Sequence, residues 1–139
     1  HIKTSRLVYI DDYAHHPTEI NALIGSVREL YPDHTITGIF QPHLYSRTRD
    51  FMDGFAESLG QVDELILMDI YPAREKPIPG ITSNTLLEKI NGPEKSLLST
   101  TDILTHFRET RLKDRVVLTI GAGDIDQLVN PLKMVLLNG

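Results

Sequence analysis

The stretch "RLVYIDDYAHHPTEINALIGSVREL", Arg6 to Leu30, changes its hydrophobic period halfway. It opens on a short β-branched and aromatic run, 6 to 10, and closes on Ile20, Leu23, Ile24, Val27 and Leu30, spaced by threes and fours. The first pattern is that of a strand and the second that of an amphipathic helix. Pro17 suits a first helical turn and Pro32-Asp33 ends the helix, so the stretch reads as one β-α unit with its helix over 17 to 31.

The same alternation recurs along the chain. Strands are expected over 35 to 40 ("TITGIF"), 64 to 70 ("ELILMDI"), 95 to 98 ("KSLL") and 115 to 120 ("RVVLTI"). Helices are expected over 48 to 60, 83 to 91, 101 to 112 and 124 to 137. Strands joined by helical crossovers form an α/β fold, a doubly wound, mostly parallel sheet flanked by helices. At 139 residues and 40% hydrophobic content, residues 1 to 139 are expected to be a single domain with a substantial core. The first residue is His1, not Met, so the chain is expected to be a piece of something longer.

Composition narrows the partners. Fourteen basic against nineteen acidic residues give a formal charge of -5, which argues against nucleic-acid binding driven by counterion release. Without cysteine there is no disulfide framework and no thiolate metal site, and a cytoplasmic location is the default expectation. No run approaches the roughly 18 apolar residues of a membrane span.

In an open parallel sheet, ligands bind beyond the carboxyl ends of the strands. The loops that leave those ends carry "DDYAHHP", "QPHLYSRTRD", "YPAREKP" and "GAGDID", so the unusual polar residues converge on one edge. Asp and His also cap helices, and His16 directly precedes Pro17. Yet an acid ending a central strand can bind ribose hydroxyls, a tyrosine can lie against a base, and an imidazole can touch phosphate. The loop is therefore a candidate for handling a nucleotide, with the choice between Asp11 and Asp12 and between His15 and His16 left open. A zinc site built from Asp11, Asp12, His15, His16 and His43 is the sharper alternative, with no HExxH or HxH pattern behind it.

His43, Arg47 and Arg49 stand at the mouth of the second expected strand. Arginine near a helix start opposes the helix dipole, so these guanidiniums suggest anion capture, carboxylate or phosphate, through paired hydrogen bonds. The competing reading is a surface ion pair with Asp50 or Asp53. "IGAGDID" places a glycine turn after a strand, but Asp126 occupies the third position of GxGxxG, so a tight turn with Asp124 capping the last helix is expected instead. No GxxxxGK[ST] loop occurs, so this stretch cannot by itself cradle a triphosphate in the usual way. Arg74, Glu75 and Lys76 read as a solvated charge run in a long loop, Tyr71 to Asn84, which Pro77, Pro79 and Gly80 stiffen.

In this order and spacing, "DDYAHHPTE", "FQPHLYSRTRD", "DIYPAREKPIPGI" and "IGAGDI" resemble the C-terminal domain of the Mur ligases, in their L-alanine-adding branch. The resemblance runs from about Arg6 to the end of the chain. It implies a Rossmann-like third domain whose companions, a UDP-sugar domain and a central ATPase domain, are not part of this sequence. It also implies an ATP- and Mg2+-dependent reaction in peptidoglycan precursor synthesis. ATP phosphorylates the carboxylate of UDP-N-acetylmuramate, the amine of L-alanine attacks the acyl phosphate, and a tetrahedral intermediate expels phosphate.

On that resemblance Asp12 contacts the ATP ribose, Tyr13 lies near nucleotide and amino acid, and His15 sits by the phosphates or a magnesium. His43 and Arg47 hold the alanine carboxylate and the growing intermediate. His15, His43 and Arg47 are thus the expected catalytic group, Asp12, Tyr13 and His15 the nucleotide contacts, and Tyr13, His43 and Arg47 the substrate contacts. Expected partners are the two substrates and the other domains of the same chain, with no nucleic acid and no membrane. The domain alone is expected to be inactive. Many relatives carry arginine directly after the histidine of the QPH motif, where this chain has Leu44, which leaves Arg47 as the main anion clamp. The rival within the family is the murein tripeptide ligase, which shares the DDxAHHP loop; Tyr45-Ser46-Arg47-Thr48 favours the alanine-adding branch. Outside the family, a metal-dependent hydrolase and a non-catalytic nucleotide-binding module remain as alternatives.

Overall fold

A computed structural model describes residues 2–3, 7–110 and 113–138. The described residues form strands β1 (Ile2–Lys3), β2 (Leu7–Asp12), β3 (Thr35–Phe40), β4 (Glu64–Leu67), β5 (Glu94–Leu97) and β6 (Arg115–Ile120). The helices are α1 (Pro17–Leu30), α2 (Tyr45–Asp50), α3 (Met52–Leu59), α4 (Ser83–Lys89), α5 (Thr100–Glu109) and α6 (Ile125–Asn138). The expected strand start at Arg6 and the expected helix end at Arg111 and Leu112 fall outside the described residues.

All strands join one sheet in the order β1-β2-β6-β3-β4-β5, parallel except for β1, which pairs antiparallel with β2. The expected α/β, doubly wound, mostly parallel sheet is the architecture found. The short β1 was not foreseen, because two residues carry no period. Buried on both faces, the central strands read as near-continuous apolar runs. Val8, Ile36, Phe40, Leu65, Val116 and Leu118 pack with Ile20, Ile24 and Val27 of α1, Phe55 and Leu59 of α3 and Leu86 of α4. On the opposite face, Tyr9, Ile39, Ile66 and Val117 meet Ile103 and Phe107 of α5 and Ile125, Leu128 and Leu132 of α6. Tyr9 is fully buried, its hydroxyl paired with Thr119 Oγ1 at 2.8 Å, and burial pushes its pKa up to about 12.

This winding sets the position of the site. β6 is followed by α6 on one face, whereas its neighbours β2 and β3 are followed by helices on the other. A crevice opens where adjacent connections part in this way. Asp12, Ile120, Phe40 and Leu67 stand side by side in register at its lip. Gly121 makes the turn out of β6 at φ 136°, and a Cβ there would lie 2.9 Å from the Gln41 carbonyl oxygen.

Most elements match the sequence reading to within one or two residues, and two differ by more. The strand expected over 64 to 70 ends at Leu67 because its neighbour turns away after Phe40. The pairing resumes only as a single bridge between His43 and Tyr71, with Tyr71 N–H donating to Pro42 O and Leu44 N–H donating to Tyr71 O, both at 2.8 Å. The helix expected over 48 to 60 is two helices, interrupted at Phe51 (φ -118°, ψ 22°) and begun three residues early. The early start was hidden because Leu44, directly before α2, has no capping side chain and holds φ 71°.

Candidate functional site

The loop after β2 closes on itself. Asp12 Oδ1 accepts from Ala14 N–H at 2.9 Å, an Asx turn that leaves the other carboxylate oxygen of Asp12 without a protein partner among the described residues. His16 caps α1, its Nδ1 accepting from Thr18 N–H at 3.2 Å, and its ring meets Phe51 edge-on. His15 N–H donates to Glu19 Oε1 at 3.1 Å, and this bond, ahead of any charge effect, holds the Glu19 carboxyl below its usual range. His15 Nδ1 lies 3.1 Å from the carbonyl of Tyr13, and the two rings meet edge to face. Tyr13 is 66% exposed, its ring free to meet a planar group.

Across the crevice, Arg47 NH1 lies 2.9 Å from His43 Nδ1. A guanidinium only donates, so Nδ1 must be the acceptor and the proton of the neutral ring sits on Nε2. The His43 pKa is lowered by burial first, then by the positive charges of Arg47 and His15, with Glu75 opposing. Tyr71 lies flat on the His43 ring, 5.4 Å between centroids and 10° between planes. Among the described residues Arg47 has no carboxylate partner, which leaves its remaining N–H groups for an incoming anion. Arg49 differs: its Nε pairs with Asp50 at 2.9 Å, the surface ion pair considered as its competing reading.

His43 and Arg47 are thus in direct contact, and Asp12, Tyr13 and His15 share the loop after β2. The five residues of the zinc alternative are not. Asp11 accepts from Thr119 Oγ1 at 2.8 Å, His16 is spent on its cap, and among the described residues no three His, Asp or Glu side chains could hold a metal ion.

Three residues of the site were missed or misread. Gln41, buried, donates from Nε2 to Asp69 O at 3.2 Å and accepts at Oε1 from Ile125 N–H at 2.8 Å. It therefore serves the first amide of α6, the role expected of Asp124, whose side chain makes no hydrogen bond among the described residues. Tyr71 was read only as the start of a loop. Glu75 is not part of a solvated run: its carboxylate takes the Ser46 N–H at 3.1 Å and the Ser46 hydroxyl. Arg74 and Lys76 do lie exposed, as read. A glutamine directly after the core strand "TITGIF" was a visible cue to Gln41; nothing local pointed to Tyr71 or Glu75.

Among known proteins, a family model described as Mur ligase, glutamate ligase domain, matches residues 1–123. The chain is 56% identical over 135 residues to the UDP-N-acetylmuramate-L-alanine ligase of Flavobacterium johnsoniae, covering 97% of this chain and 30% of that protein. The ligase of the same name from Porphyromonas gingivalis is also 56% identical, with 97% of this chain and 29% of that protein covered. This chain therefore spans about 30% of the length of these relatives. In structure it resembles a UDP-N-acetylmuramate-alanine ligase from Thermotoga maritima (TM-score 0.75, 23% identity, 96% of this chain and 27% of that one). It resembles almost as well a murein peptide ligase from Psychrobacter arcticus (TM-score 0.72, 21% identity, 97% and 28%).

Proposed function

Because this chain belongs to the Mur ligase family, as its glutamate ligase domain, we propose that it is the amino-acid-presenting third domain of an enzyme that joins L-alanine to UDP-N-acetylmuramate at the expense of ATP. The observation that carries this reading is Arg47, an arginine with no carboxylate partner among the described residues, held beside a neutral His43 at the carboxyl edge of the sheet. The name shared by the relatives at 56% identity favours L-alanine as the acceptor.

In this role Arg47 takes the carboxylate of the amino acid through its free N–H groups, a charge-assisted contact that orients the amine. His43, neutral and protonated on Nε2, donates one hydrogen bond to the oxygen that gains charge as the amine attacks. His15 lies close enough to act electrostatically on the His43 ring. The free carboxylate oxygen of Asp12 suits a ribose hydroxyl and the exposed Tyr13 ring suits a base, so these residues fit the nucleoside end of ATP. Its phosphates need a cradle that this sequence lacks, supplied by another part of a longer chain. ATP itself supplies the activation that turns the carboxylate of the sugar nucleotide into an acylating group.

The test is phosphate release by the full-length ligase given ATP and UDP-N-acetylmuramate, with L-alanine or L-alanyl-γ-D-glutamyl-meso-diaminopimelate as acceptor. Release that requires L-alanine is expected. Release with the tripeptide alone would assign the chain to the recycling ligases, whose fold it shares nearly as well.

A further inference from the structure

We propose that Glu75 is a positioning residue of this site: from a loop 29 residues away it clamps the first turn of α2 and so fixes Arg47 beside His43. The inference rests on the amino-acid-presenting role assigned to Arg47 above. Helix α2 is only six residues long, and Leu44, which precedes it, offers no capping side chain. A single turn and a half of helix is unstable without outside support. The Glu75 carboxylate provides it, one oxygen accepting from Ser46 N–H at 3.1 Å and the other from the Ser46 hydroxyl. These bonds, the hydroxyl first, also hold the Glu75 carboxyl below its usual range.

Backbone strain at both ends of the clamp is a second, independent sign. Among the described residues three non-glycine positions have positive φ, and two of them lie here: Leu44 at 71° and Ala73 at 51°. Ala73 sits in the turn closed by Glu75 N–H donating to Pro72 O at 2.9 Å, the turn that delivers Glu75 to α2. Such conformations persist only where the surroundings over-determine them, and they gather at functional sites. The surroundings here are the paired backbones of His43 and Tyr71, the Tyr71 ring stacked on His43, and the Glu75 carboxylate. Gly123 keeps the arrangement open, since a Cβ there would approach Tyr71 Cγ to 2.8 Å. His43 and Arg47 are four residues apart, so any slip of the turn separates their 2.9 Å contact.

The experiment is steady-state kinetics of the full-length ligase, with amide exchange over residues 44 to 50 followed in parallel. Loss of one charge-assisted clamp predicts that Glu75→Ala raises the KM for L-alanine about tenfold, with kcat and the KM for ATP changed less than about twofold. Glu75→Gln, which keeps an acceptor for Ser46 N–H, should recover most of the loss. The double variant Glu75→Ala with Ser46→Ala should be no worse than Glu75→Ala alone. In Glu75→Ala the amides of α2 should exchange faster. An unchanged KM for L-alanine in Glu75→Ala, while Arg47→Ala in the same assay raises it, overturns the positioning role and leaves the function standing. An unchanged KM in both variants overturns the function assigned to Arg47 and the positioning role with it. Additive losses, or α2 exchange as slow as in the wild type, also overturn the clamp.

Discussion

The two loops that face each other across the crevice are held in opposite ways. The side chains of the loop 12 to 16 bond no further than four residues away, Asp12 to Ala14, His16 to Thr18 and His15 to Glu19, and its long-range ties are few: Gly121 N–H on the Asp12 carbonyl and the His16 ring against Phe51. The segment 41 to 50 is held from far along the chain. Gln41 is tied to Asp69 and Ile125, His43 is stacked on Tyr71, and Ser46 is clamped by Glu75. A loop closed chiefly by its own side chains depends less on its neighbours, whereas a segment tied to several elements reports any shift among them. The nucleoside side of the site is thus built as a fixed platform and the amino-acid side as a joint assembly.

The contrast can be broken most severely at Arg47. Removing the guanidinium should raise the KM for L-alanine by roughly thirtyfold or more, equivalent to at least about 2 kcal/mol of lost charge pairing. The KM for ATP should stay close to that of the wild type, as initial rates with each substrate varied would show. Equal losses for both substrates would mean that the two sides of the crevice are not separable. The next largest effect is expected at Gly121, where a methyl group meets the Gln41 carbonyl and the backbone holds φ 136°. Gly121→Ala should lower the unfolding free energy by about 1 to 3 kcal/mol in urea titration. Because Gln41 links β3 to α6, the variant should also weaken L-alanine binding more than nucleotide binding.

The same contrast explains what the sequence disclosed. The alternating sheet was legible because hydrophobic period is a local property: of the five residues read as one face of α1, Ile20, Ile24 and Val27 are buried and Leu23 half-buried, while Leu30, at the end of the helix, is exposed. The cap at His16 was legible too, since His-Pro at a helix start has a local meaning. Arg47 was singled out by a helix-dipole argument that the structure overturns: α2 starts at Tyr45 and holds Arg47 and Arg49 in its last turn, where the dipole favours cations, and what marks Arg47 is its contact with His43 and the lack of a carboxylate partner among the described residues. Glu75 was misread because its partner lies 29 residues earlier, and Asp124 because a glutamine 84 residues from Ile125 had taken its role. The start of α2 was missed for the same reason: its cap is not in its own sequence. Spacing along a chain reveals partners within about a turn of helix, as with His43 and Arg47, but the ties that hold the amino-acid side, to Asp69, Tyr71, Glu75 and Ile125, lie far beyond it.

Smaller effects should sharpen the comparison from the platform side. Removing the Tyr13 ring should raise the KM for ATP by roughly three- to tenfold, the value of an aromatic contact of about 0.5 to 1.5 kcal/mol. As an exposed residue it should leave the unfolding midpoint in place. His16→Ala should do the reverse, lowering stability by about 1 kcal/mol through loss of the α1 cap, with kinetics for L-alanine unaffected. Denaturant midpoints and initial rates on the same preparations separate the two. A loss of alanine binding in His16→Ala would show that the platform is coupled to the assembly opposite.

The finest discrimination comes from pH, because His43 is held neutral by the elements gathered around it. Its pKa lies below the ordinary 6.5, through burial, then Arg47, then His15, against the opposing charge of Glu75. In the unfolded chain the imidazole takes its proton near 6.5, and in the folded protein only at lower pH. Between those two values the unfolded state binds more protons, so stability must fall as pH falls through the window and recover as pH rises. A protonated His43 would also turn an acceptor for Arg47 into a second cation. Melting temperatures from about pH 7.5 down to about pH 5 should therefore drop more steeply in the wild type than in His43→Gln, which cannot titrate there. Glu75→Gln removes the one carboxylate that opposes the shift, so it should steepen the wild-type slope. Identical slopes in wild type and His43→Gln would mean that the imidazole titrates as it does in water, and that the segment 41 to 50 imposes no constraint on the group it was assembled to hold.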